Sequence, residues 1–150
     1  MSIALIIISN EASTKADKVE IERVQRRATS HVEEISHLSY GDRLRALRLP
    51  SMEYRRKRGD MIEMYKRLND YYDEDFPWLQ RDENSNGLRG NDAKLVKFRR
   101  TNAAKRRAFS VRTINDWNGL PNEVVNAPSI NAFKARLDRH WEGIMYDFPE

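Results

Sequence analysis

Ten basic side chains carry most of the chemistry this sequence offers. They fall in two runs. Arg55, Arg56, Lys57 and Arg58 stand in RRKRG, and Lys97, Arg99, Arg100, Lys105, Arg106 and Arg107 stand in KFRRTNAAKRR. Guanidinium and ammonium groups hold phosphate oxygens through charge-assisted hydrogen bonds, which fix a nucleic-acid backbone without reading its sequence. Tyr40, Tyr54 and Phe109 lie close by in the chain. Their rings have the faces on which bases stack, although core packing is the commoner duty of such residues. Nothing in the pattern is suited to reading base edges.

The other chemical groups are weaker candidates. YYDED, Tyr71 to Asp75, has the paired aspartates with which polymerases hold two magnesium ions. That use needs a tight turn between two apolar strands. Here one flank, MYKRL, has a helical pattern and the other, FPW, is broken by proline, so an acidic surface loop is expected. His31, His37 and His140 have no metal-ligand spacing, and no nucleophile elbow, Walker loop or dinucleotide motif occurs. The expectation is a protein with no catalytic residue, no metal and no cofactor.

Composition sets the frame. The chain has 150 residues, a net charge of +4 and no cysteine. Thiolate metal sites and disulfides are therefore excluded. Hydrophobic residues make up 39 % and charged residues 33 %. That is leaner and more charged than a usual globular domain, but enough for a modest core. The charge is segregated. Arg43 to Arg67 holds nine basic and three acidic residues, Arg89 to Arg112 holds nine and one, and the acidic NDYYDEDF lies between them. Segregated positive charge suits a polyanion, because each neutralised phosphate releases counterions. IALIII near the start is six residues long, whereas a membrane span needs about twenty. No membrane partner and an intracellular setting, nucleus or cytoplasm, are expected.

The elements that must position these residues are helical. A first helix is expected over Asp17 to Leu38, with Ile21, Val24, Ala28, Ile35 and Leu38 on its inward stripe. Ser39 and Asp42 begin a second, through Leu49, with Leu44 and Leu47 turned inward. Ser51 caps a third, to about Asn69, whose apolar side carries Met61, Ile62, Tyr65 and Leu68. Gly59 within it marks close packing or a kink. DENSNGLRGND reads as a loop and KLVKF, Lys94 to Phe98, as a short strand. Phe109 to Asn118 is helical, with Trp117 in the core. After Pro128 and Ser129 the last helix carries Ile130, Phe133, Leu137, Trp141 and Ile144 on one stripe. The whole is a mainly α, small multi-helix domain with at most a short two-stranded β element. Its segments are 1–16, an apolar start and linker; 17–69, three helices; 70–104, an acidic then basic loop region; and 105–145, helical again. One domain overall is expected.

Two long blocks add a resemblance. IERVQRRATSHVEEISHLSYGDRLRALRLPSMEYRRKRGDMIEMYKRLND and FSVRTINDWNGLPNEVVNAPSINAFKARLDRHW resemble the region that follows the polymerase in non-LTR (LINE-type, jockey-like) retrotransposon reverse transcriptases. The likeness runs from about Lys15 to Trp141. It implies the tail of an RNA-directed DNA polymerase without its catalytic palm, holding RNA or target DNA, whereas a scaffold role would make a reverse transcriptase body or another protein its partner. Some tails of that family carry zinc-binding cysteines, which this chain lacks. Two other readings stand beside it: a helical protein-interaction scaffold, and a decayed retroelement fragment that binds no nucleic acid.

Overall fold

Short polar side chains, Thr14, Ser39, Ser51 and Ser129, begin four of the helices. The computed structural model describes residues 14–85, 90–97 and 109–150. It is mainly helical and divides into two compact units, Met1–Arg56 with Trp141–Glu150, and Lys57–His140.

In the first unit, α1 spans Lys15–Ser30 behind a reciprocal capping box. The Asp17 amide donates to Thr14 Oγ1 at 3.1 Å, and the Thr14 amide donates to Asp17 Oδ2 at 3.1 Å. The helix stops at Ser30 rather than continuing to Leu38, and a 3-10 turn follows at Glu33–Ile35. Its orientation also differs from expectation. Glu22, Gln25 and Thr29 are buried, while Val24 is 63 % exposed. Each buried polar group has partners. Glu22 accepts from the Tyr40 hydroxyl and the Met52 amide, Gln25 donates to the Pro50 carbonyl, and Arg43 Nε donates to Thr29 Oγ1. A fully bonded polar side is stable inside, so hydrogen bonding, not hydropathy, chose the inward face.

α2, Tyr40–Leu47, begins where Ser39 Oγ accepts from the Asp42 amide. Leu44 is buried as expected, but Leu47 is 41 % exposed. Arg48 closes the helix in a left-handed conformation, φ 50°. Ser51 Oγ accepts from the Tyr54 amide at the start of α3, Met52–Leu68. The C-terminal residues complete this unit. The Ser51 amide donates to the Met145 carbonyl, and the Tyr40 ring meets Phe148 edge-on at 4.8 Å. Tyr40 and Tyr54 both belong to the core.

The second unit has the apolar core. It contains most of α3, together with α4 (Phe109–Asn118), α5 (Asn122–Val125) and α6 (Ile130–His140). Met61, Met64, Tyr65, Ile114, Trp117, Phe133 and Leu137 are buried together. Phe133 stacks on Tyr65 at 4.5 Å and on Trp117 at 6.0 Å. Trp117 is 1 % exposed and gives its indole N–H to the Ala93 carbonyl at 3.0 Å. It is a core residue, as its neighbours in sequence suggested. The short α5 had no counterpart in the sequence reading. α6 ends at His140, and a separate 3-10 turn at Glu142–Ile144 stands where the α-helical stripe was expected to continue. Gly59 does not mark close packing. α3 runs unbroken through it, and a methyl group there would meet nothing within 4 Å.

KLVKF does not form a strand among the described residues. Leu95 makes a single antiparallel bridge with Arg81, supported by Asp82 N–H to the Lys94 carbonyl and Val96 N–H to the Gln80 carbonyl, both 2.8 Å. Phe98 lies outside the described residues. No helix among the described residues is long and apolar enough to cross a membrane.

Candidate nucleic-acid interface

The basic residues of α3 do not share one environment. In the first unit, Arg56 is 8 % exposed and its Nη2 lies 2.9 Å from Glu53 Oε1. The same carboxylate oxygen accepts from Lys18 Nζ at 3.1 Å. Burial opposes ionisation of Glu53, yet the Arg56 guanidinium and the Lys18 ammonium outweigh it and hold the carboxyl below its ordinary range. Arg55 is half-buried and lines an apolar groove. In the second unit, Lys57 is half-buried and Arg58 makes a two-point contact with Asp138, Nε to Oδ1 at 2.6 Å and Nη2 to Oδ2 at 3.0 Å. Arg112 grips the buried Asp60 in the same two-point manner at 3.0 and 3.2 Å. Consecutive helical residues point about 100° apart, so a run of four cations on a helix cannot present one surface.

Lys97 is placed differently. It is exposed and makes no ion pair among the described residues. It lines a cleft of about 670 Å³ in the second unit, of mixed polar and apolar character, together with Asp82, Asn84, Lys94, Leu95, Val96, Asn115 and Asn118. Arg99, Arg100, Lys105, Arg106 and Arg107 follow it in the chain and lie outside the described residues.

Side-chain amides hold this cleft where a strand was expected. Asn118, at the end of α4, clamps Leu95 by both backbone groups. The Leu95 amide donates to Oδ1 at 2.8 Å, and Nδ2 donates to the Leu95 carbonyl at 2.9 Å. Buried Asn91 donates from Nδ2 to the carbonyls of Trp117 and Leu120 and accepts from the Ala93 amide at Oδ1. Asp92 and Asn122 exchange a reciprocal pair at 2.7 and 2.9 Å. Gly90 makes the approach possible. It adopts φ 109°, and a Cβ there would lie 2.6 Å from the Asn118 carbonyl oxygen. Lys94 and Lys97 are thereby fixed on a segment tied to α4. Lys94, Asn91 and Asn118 escaped the sequence reading. Asn118 showed only as a helix stop, and its second role depends on a partner 23 positions earlier.

The electrostatics divide the cleft. Its lining includes Asn115 and Asn118 from the last turn of α4, where helix carbonyls leave partial negative charge, and Asp82 adds a carboxylate. A phosphate is disfavoured there and favoured at Lys97. The exposed Asn115 offers a donor and an acceptor to a neutral polar group. In the acidic stretch, Asp73, Glu74 and Asp75 are exposed, and Tyr72 donates to Glu63 Oε2 at 2.9 Å. Among the described residues no cluster of three or more potential metal ligands occurs. No family model, curated protein or solved structure matches the chain.

Proposed function

We propose that this chain is a non-catalytic nucleic-acid-binding module, akin to the tail that follows the polymerase in non-LTR retrotransposon reverse transcriptases. It grips the RNA or DNA backbone through Lys97 and the arginines and lysines that follow it. One observation carries the reading. Lys97 is exposed on an anchored segment that lines a cleft, and the basic run with the most cations in the sequence, Lys97 to Arg107, begins there. Of the helical cations, Arg56 and Arg58 are committed to carboxylates of their own units. They support the scaffold rather than the grip.

A titration with single-stranded RNA and with duplex DNA at several salt concentrations tests the proposal. With about five phosphates neutralised, log K should fall against log salt with a slope of roughly −3.5 on single strands and −4.5 on duplex. Replacing Arg99, Arg100, Arg106 and Arg107 with Ala should flatten both slopes and weaken all sequences alike. A folded parent protein that binds neither polymer at low salt rules the proposal out and leaves a protein-interaction scaffold as the better account.

A further inference from the structure

α1 carries its apolar stripe on the side away from its own core. Glu22, Gln25 and Thr29 fill the interior, while Val24 is 63 % exposed and Leu47 of α2 is 41 % exposed. With Ile21, Ala28, Leu49 and Met52 these two line an open apolar groove of about 560 Å³ within the first unit. The surface lining this groove is almost wholly apolar, so the guest it has room for is an apolar one.

We propose that the groove seats this chain's own Ile3–Ile8 segment. IALIII is a run of six apolar residues without charge or proline, and such a run is unstable in water unless covered. Its position in the chain lets it reach. The six residues from Ile8 to Thr14 span up to about 20 Å when extended. Val24 lies ten residues beyond Thr14, which is about 15 Å along α1. A tether this short holds the segment near the groove at an effective concentration of order millimolar, an advantage no separate partner has. Chemistry matches as well. An extended segment would turn Ile3, Leu5 and Ile7 to one face, aliphatic side chains for an aliphatic groove. At the groove edge Arg55 can lay its methylene stem along apolar surface.

The test uses the full chain, which has no cysteine to interfere. Val24→Cys introduces one exposed thiol, and its maleimide labelling rate reports cover. Labelling should be at least about tenfold faster once Ile6→Asp and Ile7→Asp remove the segment's affinity. Each variant is first checked for the parent's helical circular dichroism. Oxidation of Ile7→Cys with Val24→Cys at low micromolar concentration should yield a monomer lighter by two hydrogens. Equal labelling rates in the two backgrounds overturn the proposal. So does a disulfide found only between chains, which would assign the groove to a second copy. Neither readout involves nucleic acid, so the result is independent of the proposed function.

Discussion

The hydroxyl of Tyr40 donates a 2.5 Å hydrogen bond to Oε1 of Glu22, joining α2 to α1 inside the first unit. Oε2 of the same carboxylate accepts from the Met52 amide at 2.9 Å, which ties in the start of α3. One buried acid thus binds three helices. A carboxylate that has left water depends on each donor it retains. Tyr40→Phe keeps the ring and its packing on Phe148 but removes a donor from Glu22. It should lower the stability of the first unit by about 1–3 kcal/mol. A chemical-denaturation curve unchanged from the parent would show that the bond contributes nothing net.

The same pair predicts a pH dependence. Burial pushes the Glu22 carboxyl up from its ordinary 4.5, against the opposing pull of Tyr40, the Met52 and Glu53 amides and Arg26. The folded state therefore holds this proton to a higher pH than the unfolded state. The resulting stability is fully present below about 4.5 and is lost as pH rises through the raised folded value. Glu53 works the other way, since its folded carboxyl is lowered and its contribution fades only as pH falls through that lowered value. Glu22→Gln removes the first effect alone. Melting temperatures from pH 4 to pH 7 (roughly the span in which a raised carboxyl titrates) should shift in the variant's favour relative to the parent as pH rises. A gap independent of pH would refute this.

Two glycines should respond in opposite directions. Gly59 lies inside α3 with open space where a methyl group would go, so Gly59→Ala should stabilise by about 0.5–1 kcal/mol. Gly90 has φ 109° and faces the Asn118 carbonyl at 2.6 Å from an added Cβ, so Gly90→Ala should destabilise. Urea midpoints of the two variants displaced to the same side of the parent would contradict this account.

Trp117→Ala should destabilise the second unit by about 3–5 kcal/mol, the range for truncating a large buried aromatic. It removes the stack on Phe133 and leaves the Ala93 carbonyl without its indole donor. A variant that melts like the parent but loses a ligand would make Trp117 a site residue instead.

Arg58 and Lys97 should separate on binding. The Arg58–Asp138 pair is only partly buried, 32 % and 37 % exposed at the side chains, so Arg58→Ala should cost no more than about 1 kcal/mol. It should leave the salt slope for duplex DNA unchanged. Lys97→Ala should leave stability alone and reduce that slope by about 0.9, one phosphate contact. The reverse assignment of the two effects would return the grip to α3.

Local signals in the sequence were reliable where the cause was local. Ser39 and Ser51 cap the helices they were expected to cap, because a side-chain oxygen two or three residues from a free amide needs nothing else. Phe109–Asn118 was bounded correctly, since an Asn-Gly stop is likewise local. α1 shows the limit. Periodicity located an apolar stripe but could not say which side faces inward, because that depends on Tyr40, Arg43 and Pro50 satisfying Glu22, Thr29 and Gln25. KLVKF failed for a related reason. Its backbone pairs with Gln80 and Asp82 on one edge, but on the other it meets the side-chain amide of Asn118, which no alternation pattern can announce. At the candidate site, RRKRG and KFRRTNAAKRR looked equivalent by charge. The carboxylates that distinguish Arg56 and Arg58 from Lys97 are visible only when the chain is folded.

The first unit is discontinuous in sequence, Met1–Arg56 joined by Trp141–Glu150, whereas Lys57–His140 is a single stretch. On a ribosome this imposes an order of events. The uninterrupted unit has all its residues as soon as His140 emerges. The other must wait for Trp141, Met145 and Phe148 before Tyr54, Ser51 and Tyr40 can meet them. Until then α1 and α2 lack those contacts, and their closure must await the end of the described chain. Vectorial synthesis therefore assigns the longest-lived nascent intermediate to the very unit whose interior is held by polar contacts.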